Sequence, residues 1–196
     1  MDNEKQEQLN PWLSIWFEPR ATIQQVVDGD TNMMVLILAP LAGIASALTR
    51  NSGLAYSGLE NLLGLVVAGC IGGYLFVFLG AYLLRWTGYW LGGTASLSSI
   101  RAASVWSSIP AITSAVLLLL LWVVLSQLSG PVAGMEVAVG LMILTLGIWS
   151  FVLNCNCLGQ VQGFSAWKGL ANMMLSFTVV LVPILVIWAV VAALSS

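Results

Sequence analysis

The sequence predicts an all-α membrane protein, a five-transmembrane-helix bundle with an N-terminal amphipathic interfacial arm. The first observation is composition: 59% of the 196 residues are hydrophobic and 7% are charged, whereas a soluble domain has about 25% charged residues. The second is the segment 62–84, which contains neither a charge nor a proline. A helix needs about 20 such residues to cross a hydrocarbon layer of about 30 Å. The third is an amphipathic segment rich in Trp and Pro that precedes the apolar runs.

The first domain, residues 1–30, is predicted to be a cytoplasmic tail followed by the amphipathic arm. Asn10 and Pro11 are typical of the N-cap and first position of a helix, and Pro19 ends that helix and begins another. Apolar residues share one face of each helix: Trp12, Ile15 and Trp16 in the first, Ile23, Val26 and Val27 in the second. The sequence leaves two alternatives for this face, which lies either in the membrane interface or on the protein's own helices.

The second domain, residues 31–196, is predicted to be the five-helix transmembrane domain. Its spans are predicted at about 33–48, 62–84, 109–125, 137–153 and 170–194. Polar loops are expected at Thr49–Asn61 and around Gly130-Pro131. A connector is expected at 85–108, in which Ser96 caps a short helix.

Small residues on the first two spans predict close helix packing. They are Ala39, Gly43 and Ala47 on the first span, and Gly69 and Gly73 on the second, with Gly80 continuing the same side. Packing against a helix of the same chain is the default interpretation. The alternative is a seam between two copies of the chain, which would make the protein a homo-oligomer.

The distribution of basic residues predicts the orientation. Five spans place most of them on the side of the N-terminus, namely Lys5, Arg20, Arg85, Arg101 and Lys168, and leave Arg50 on the other side. The positive-inside rule therefore predicts a cytoplasmic N-terminus and an outward C-terminus.

The residue inventory argues against an enzyme. Histidine is absent from the sequence, which removes the common nucleophilic triads and imidazole metal sites. Cys155 and Cys157 would point in different directions on a helix, so they do not predict a metal site. We expect no catalytic, cofactor-binding or metal-binding residues. The net charge of −2 without a basic patch argues against nucleic acid as a partner.

The most polar stretch near the membrane is 154–168, with amides at Asn154, Asn156, Gln160 and Gln162. These side chains would either line a pore mouth or bind a partner, or they would satisfy one another at a helix end.

Two segments resemble the Yip (Ypt/Rab-interacting protein) domain family in its prokaryotic branch. They are N-P-W-L-S-I-W-F-E-P-R-A-T-I at Asn10–Ile23 and Q-G-F-S-A-W-K at Gln162–Lys168. The resemblance implies a cytoplasmic amphipathic arm, five spans and an integral protein of the prokaryotic inner membrane. Eukaryotic relatives are associated with small GTPases, vesicle traffic and membrane shaping. Their Tyr-Gly-Pro-type motif is missing here, so the resemblance does not imply a GTPase partner.

Two functional hypotheses follow. The first is a non-enzymatic protein that presents a cytoplasmic-side surface to the lipid bilayer or to a membrane or cytoplasmic protein partner, for membrane organisation or scaffolding. Its predicted surface residues are Pro11, Trp12, Trp16, Pro19, Arg20, Trp167 and Lys168. The alternative is a channel or transporter for a small neutral or hydrophobic solute, in which Pro40 and Pro183 open the helices and the glycine-rich second span lines a cavity.

Overall fold

A computed structural model describes residues 9–29, 32–50, 59–125, 127 and 134–195, and its regular elements are all helices within those ranges. The helices are α1 (Pro11–Ser14), α2 (Pro19–Asp28), α3 (Asn32–Arg50), α4 (Leu59–Trp90), α5 (Leu97–Trp106), α6 (Ile109–Leu125), α7 (Met135–Gln162) and α8 (Ala166–Ser195). The predicted tail up to residue 8, most of the predicted loop at 49–61 and the turn at Gly130-Pro131 lie outside the described residues.

Five segments of the described chain are long and apolar enough to cross a membrane, as predicted. They are Asn32–Arg50, Glu60–Trp90, Leu97–Val124, Met135–Gln162 and Ala166–Ser195. The third contains both α5 and α6, which a turn at Ser107 and Ser108 separates. Five crossings place the arm and the described end of the chain at opposite ends of the bundle, here called the arm end and the far end.

Two helices run further than the apolar runs predicted. Helix α4 passes through Arg85 to Trp90, and α7 passes through the polar stretch from residue 154 to Gln162. The connector expected at 85–108 is therefore short, and it leads into α5, whose N-cap Ser96 accepts a hydrogen bond from the Ser99 N–H as predicted. The added turns lie where polar side chains are tolerated, because α4 is about 48 Å long and exceeds the hydrocarbon thickness.

The five spans form a ring in which each helix contacts two neighbours, in the order α4, α3, α6, α7 and α8, with α8 returning to α4. Helix α5 contacts α3, α4 and α7 and occupies the arm end of this ring, where α2 packs on α5 and α7. The largest cluster of buried apolar residues lies at this end and includes Ile15, Ile23, Leu38 and Val105. The far ends of α7 and α8 are largely exposed, as expected for helices whose solvent is lipid.

Helices α3 and α4 meet backbone to backbone at three glycines. A Cβ atom on Gly43 would collide with the carbonyl oxygen of Gly69, and one on Gly73 would collide with that of Ala39. The small-residue faces of α3 and α4 therefore pack against each other within one chain. Gly80 takes no part in this contact: a Cβ there would meet no described atom within 4 Å, so the close approach is confined to the crossing.

The same substitution at two glycines of α4 tests this contact. We expect Gly73→Ala to lower the free energy of unfolding by about 1–3 kcal/mol, because the added methyl group meets backbone that cannot rotate away. Gly80→Ala should change it by less than about 0.5 kcal/mol. Denaturation in mixed detergent micelles, followed by circular dichroism, measures both, and equal effects would refute the glycine crossing.

Pro40 lies inside α3 without interrupting it. Proline has no N–H, so the carbonyl of Leu36, four residues earlier, loses its helical partner. The hydroxyl of Tyr74 on α4 donates to that carbonyl at 2.7 Å. The predicted opening of the backbone at Pro40 is therefore closed at this carbonyl by a side chain from the neighbouring helix, which avoids an unsatisfied carbonyl in hydrocarbon.

A double-mutant cycle tests whether Tyr74 replaces the hydrogen bond that Pro40 removes from the Leu36 carbonyl. Tyr74→Phe should cost about 1 kcal/mol of unfolding free energy in the native background. In a Pro40→Ala background the cost should fall towards zero, because the N–H of the new alanine reaches the Leu36 carbonyl. The four proteins are compared by the same micelle denaturation, and an equal cost in both backgrounds would contradict the assignment.

Candidate functional site

The arm is docked on the bundle by its apolar face. Ile15 and Ile23 are fully buried, in one cluster with Val105 of α5, Leu153 of α7 and other core residues. The Asn10 side chain accepts a hydrogen bond from the Trp12 N–H, as predicted for the N-cap of the first helix. One face of the arm thus packs on the protein's own helices, which was one of the two alternatives.

Arg20 joins the arm to the turn between α7 and α8. Its Nε donates to Gln160 Oε1 at 3.0 Å and its Nη2 donates to the carbonyl of Phe164 at 3.2 Å. Gln160 in turn donates from Nε2 to Gln24 Oε1 at 3.2 Å. The positive charge also lies near the C-terminus of α7, where a helix favours cations. Arg20 was predicted to face headgroups or a partner, and its contacts give it a positioning role within the chain.

The other predicted surface residues differ in how exposed they are and in what they contact. Trp12 is half exposed, with its ring centroid 5.1 Å from that of Trp106 on α5. Trp16 packs partly buried against the core, and Pro11 and Pro19 begin their helices half buried. Trp167 and Lys168 are exposed at the start of α8, and Trp167 keeps 80% of its surface accessible.

Two exposed apolar residues of the arm were missed from the sequence. Phe17 is 86% exposed and Leu13 is 67% exposed. The available signal was their spacing of four residues, which aligns them on the helix face next to Trp12, Ile15 and Trp16. We call Leu13, Phe17, Trp167 and Lys168 the arm-end surface.

An apolar hollow of about 430 Å³ lies beside the arm-end surface. Trp16 and Phe17 form one side of it, and Leu146, Ile148 and Trp149 of α7 line the other. These α7 residues belong to a membrane-spanning segment. The hollow therefore joins the arm to the apolar outer surface of the bundle.

The polar stretch of α7 is mostly used inside the protein. Gln162 is buried, donates from Nε2 to the Leu84 carbonyl at 3.2 Å and accepts from the Ala95 N–H at 3.3 Å. Gly88 and Gly93 leave room for its amide, because a Cβ on either would collide with it. Gln162 thus fixes the end of α4 and the connector to α5.

A second buried amide extends this network to α8. Asn172 donates from Nδ2 to the Leu84 carbonyl at 3.1 Å. Its Oδ1 accepts from Thr87 Oγ1 at 2.6 Å, and Thr87 Oγ1 also lies 2.6 Å from Ser176 Oγ. Such a satisfied network rigidifies the contact between α4 and α8.

The two neighbouring thiols bind different elements. Cys157 is buried and donates from Sγ to the Pro19 carbonyl at 3.7 Å, whereas Cys155 donates to Met173 Sδ at 3.8 Å. Cys157 therefore lies directly beneath the arm. The described residues contain no group of three His, Cys, Asp or Glu side chains close enough to hold a metal ion.

A cavity of about 720 Å³ lies between α3, α4, α5, α6 and α7, and it is open on one side, because its lining residue Phe76 is 77% exposed. Gly64, Gly69 and Gly72 of the glycine-rich α4 line it, and so does Ala47, which the sequence had assigned to helix packing.

Five bilayer-length apolar helices, with an amphipathic arm docked at one end, define a polytopic α-helical membrane protein. The family model of the Yip1 domain matches residues 13–189, so the chain belongs to the Yip1 domain family. Proteins of this family are non-enzymatic membrane proteins. No curated protein and no solved structure matches the chain at a significant level.

The thiol of Cys157 offers a test of how Arg20 holds the arm. The Arg20→Ala variant loses the two hydrogen bonds that the guanidinium group donates, so local opening of the arm should become more frequent. If the free energy of this opening falls by about 1 kcal/mol, the rate at which a maleimide reagent modifies Cys157 in detergent rises about five-fold. Mass spectrometry of the Cys157 peptide gives the rate.

Lys168→Ala is the matched control, because it removes an exposed cation from the same end of the protein. Its labelling rate should equal that of the native chain. If Arg20→Ala also leaves the rate unchanged, Arg20 does not hold the arm closed.

Proposed function

We propose that this protein is a non-enzymatic membrane-organising protein whose arm-end surface binds the lipid of the cytoplasmic leaflet. The observation that carries the proposal is the exposure of Leu13, Phe17 and Trp167 on elements that Arg20 ties together. Burying a large apolar side chain is worth about 1.5–3 kcal/mol. Three such side chains therefore favour an apolar environment at this end of the bundle.

The position of the hollow supports lipid rather than a protein partner as that environment. Phe17 faces Ile148 and Trp149 across it, and those two residues lie in a membrane-spanning segment. A lipid chain that contacts α7 can therefore continue beneath the arm. Trp167 and Lys168 combine an apolar ring and a cation, the pair that anchors proteins at the headgroup level.

The charge distribution supports a cytoplasmic arm end. Arg20, Arg85, Arg101 and Lys168 lie at the arm end, and Arg50 ends α3 at the far end. Arg101 is held over the rings of Phe78 and Tyr82, with its guanidinium carbon 4.3 and 5.7 Å from their centroids. By the positive-inside rule the N-terminus is cytoplasmic and the C-terminus is outside. The resemblance in the arm favours a prokaryotic inner membrane.

Spin-label depth measurements test this proposal. A nitroxide on Cys in a Phe17→Cys variant should be accessible to oxygen and shielded from a water-soluble nickel chelate, because the side chain lies among lipid chains. A label in Ala21→Cys, on the exposed side of α2, should show the reverse pattern. Both labels are read by power saturation in lipid vesicles and again in detergent. The native chain, labelled in the same way, gives the background signal from its own thiols.

Equal exposure of both labels to the nickel chelate would refute lipid binding by the arm-end surface. A label at position 17 that neither reagent reaches in native membranes, but that the nickel chelate reaches after purification, would refute it in favour of a protein partner.

A further inference from the structure

Arg101 is a cation inside a membrane-spanning segment, on the side of α5 that faces α4. It belongs to the segment Leu97–Val124. Its guanidinium carbon lies 4.3 Å from the ring centroid of Phe78 and 5.7 Å from that of Tyr82. Cations are rare in such segments because they lose hydration there, and those that occur usually have a functional partner.

The guanidinium group of Arg101 has hydrogen-bond donors that the protein does not use. Among the described residues it has neither an ion pair nor a hydrogen-bond acceptor. Its Nε is shielded from solvent, but the two Nη atoms, equally unpaired, are not among the shielded atoms, so they reach the surface. A guanidinium group that lies over a ring donates in its own plane. The Nη hydrogens are therefore available to an acceptor outside the protein.

The depth of Arg101 places these donors near lipid headgroups. The spanning segment of α4 begins at the far end with Glu60, which is exposed. A hydrocarbon layer of about 30 Å corresponds to about 20 residues of helix. Counted from Glu60, that layer ends between Phe78 and Tyr82, the two rings under Arg101. The guanidinium group therefore lies at the inner edge of the headgroup layer of the leaflet at the arm end.

The surface of α4 beside Arg101 is open to this leaflet and carries a second cation. Tyr82 is 57% exposed. Arg85 is exposed too, and its spacing of three residues places it on the same side of α4, nearer the arm end. Residues 61–135 contain no Asp or Glu, so α5, α6 and the rest of α4 supply no counter-charge to either arginine.

A phosphodiester is the acceptor that fits this position. Its two anionic oxygens match the paired donors at the edge of a guanidinium group. The acyl chains of a phospholipid can also lie along the exposed apolar surface of α4, which a free anion would leave uncovered. Two cations without a carboxylate favour a headgroup of net negative charge, because the ammonium group of a zwitterionic lipid would be repelled by Arg85.

We infer that Arg101, with Arg85 beside it, binds the phosphate of an anionic phospholipid such as phosphatidylglycerol in the leaflet at the arm end. The Nη hydrogens of Arg101 donate to the phosphate oxygens, and the rings of Phe78 and Tyr82 hold the plane of the guanidinium group. The site shares no residue with the arm-end surface, so it does not depend on lipid binding there.

Native mass spectrometry of the full-length protein in detergent tests this site. Delipidated protein is titrated with phosphatidylglycerol and with phosphatidylcholine that has the same acyl chains. The native chain should bind its first phosphatidylglycerol at least about ten-fold more tightly than its first phosphatidylcholine, because only the anionic headgroup leaves the charge of the two arginines neutralised. Inorganic phosphate in excess should not displace the lipid, because it has no acyl chains.

Substitutions of single cations locate the bound lipid. Arg101→Gln should lower the affinity for phosphatidylglycerol at least about ten-fold, because it removes a charged donor pair. Arg101→Lys keeps the charge but not the planar group, and it should lower the affinity about three-fold. Arg50→Gln is the matched control: it removes an exposed cation from the far end, and it should bind as the native chain does.

Tyr82→Leu tests the orientation of the guanidinium group without removing a charge. It should weaken phosphatidylglycerol binding about three-fold, by the loss of one cation–π contact. Phe76→Leu removes an exposed ring from a different side of α4, and it should have no effect.

Equal affinity for the two lipids, or equal effects of Arg101→Gln and Arg50→Gln, would overturn the inference. Displacement of the lipid by inorganic phosphate would overturn it in favour of a free anion. If Arg101→Gln does not fold, as judged by its thermal midpoint, the comparison of Tyr82→Leu with Phe76→Leu decides, and equal binding by those two variants would refute the site.

Discussion

The contact between α3 and α4 at Gly43, Gly69 and Gly73 is the constraint on which the rest of the bundle depends. Lipid gives two apolar helices no hydrophobic reason to associate, so close packing of backbone atoms has to supply the attraction. Because the crossing fixes α4 against α3, it also sets which small residues of α4 pack and which remain open. Both Gly72 and Gly73 line the cavity, but a Cβ on Gly73 would collide with the Ala39 carbonyl oxygen, while one on Gly72 would meet no described atom within 4 Å.

Helix α5 lies between the arm and the cavity and contributes residues to both. Trp106 packs on Trp12 of the arm, and Ser104 and Ser107 of the same segment close the cavity. A short helix inserted into the arm end of a ring of spans therefore serves two purposes. It provides core for the arm, and it places polar atoms at a depth where the spans alone offer mainly apolar surface.

Local features of the sequence predicted local structure well. Asn10 and Ser96 act as N-caps, and the five spans occur in the predicted order, because capping and hydropathy depend on residues close in the chain. Helices α4 and α7 continue beyond the predicted spans, because a helix stabilised by neighbours continues past the hydrocarbon. The candidate surface stays a prediction: Arg20, Trp167 and Lys168 are exposed, Arg20 also donates to Gln160 and Phe164, and the exposed Leu13 and Phe17 were not singled out from the sequence.

The sequence by itself determined that this chain is a five-span membrane protein with an amphipathic arm, because the cost of placing side chains in lipid is set residue by residue. Only the tertiary structure decided which glycines touch, what Arg20 binds and what Gln162 binds. These properties join residues far apart in the chain, such as Arg20 with Gln160 and Gly43 with Gly69. Hydropathy and periodicity describe one helix at a time, so they do not specify which faces of two helices meet.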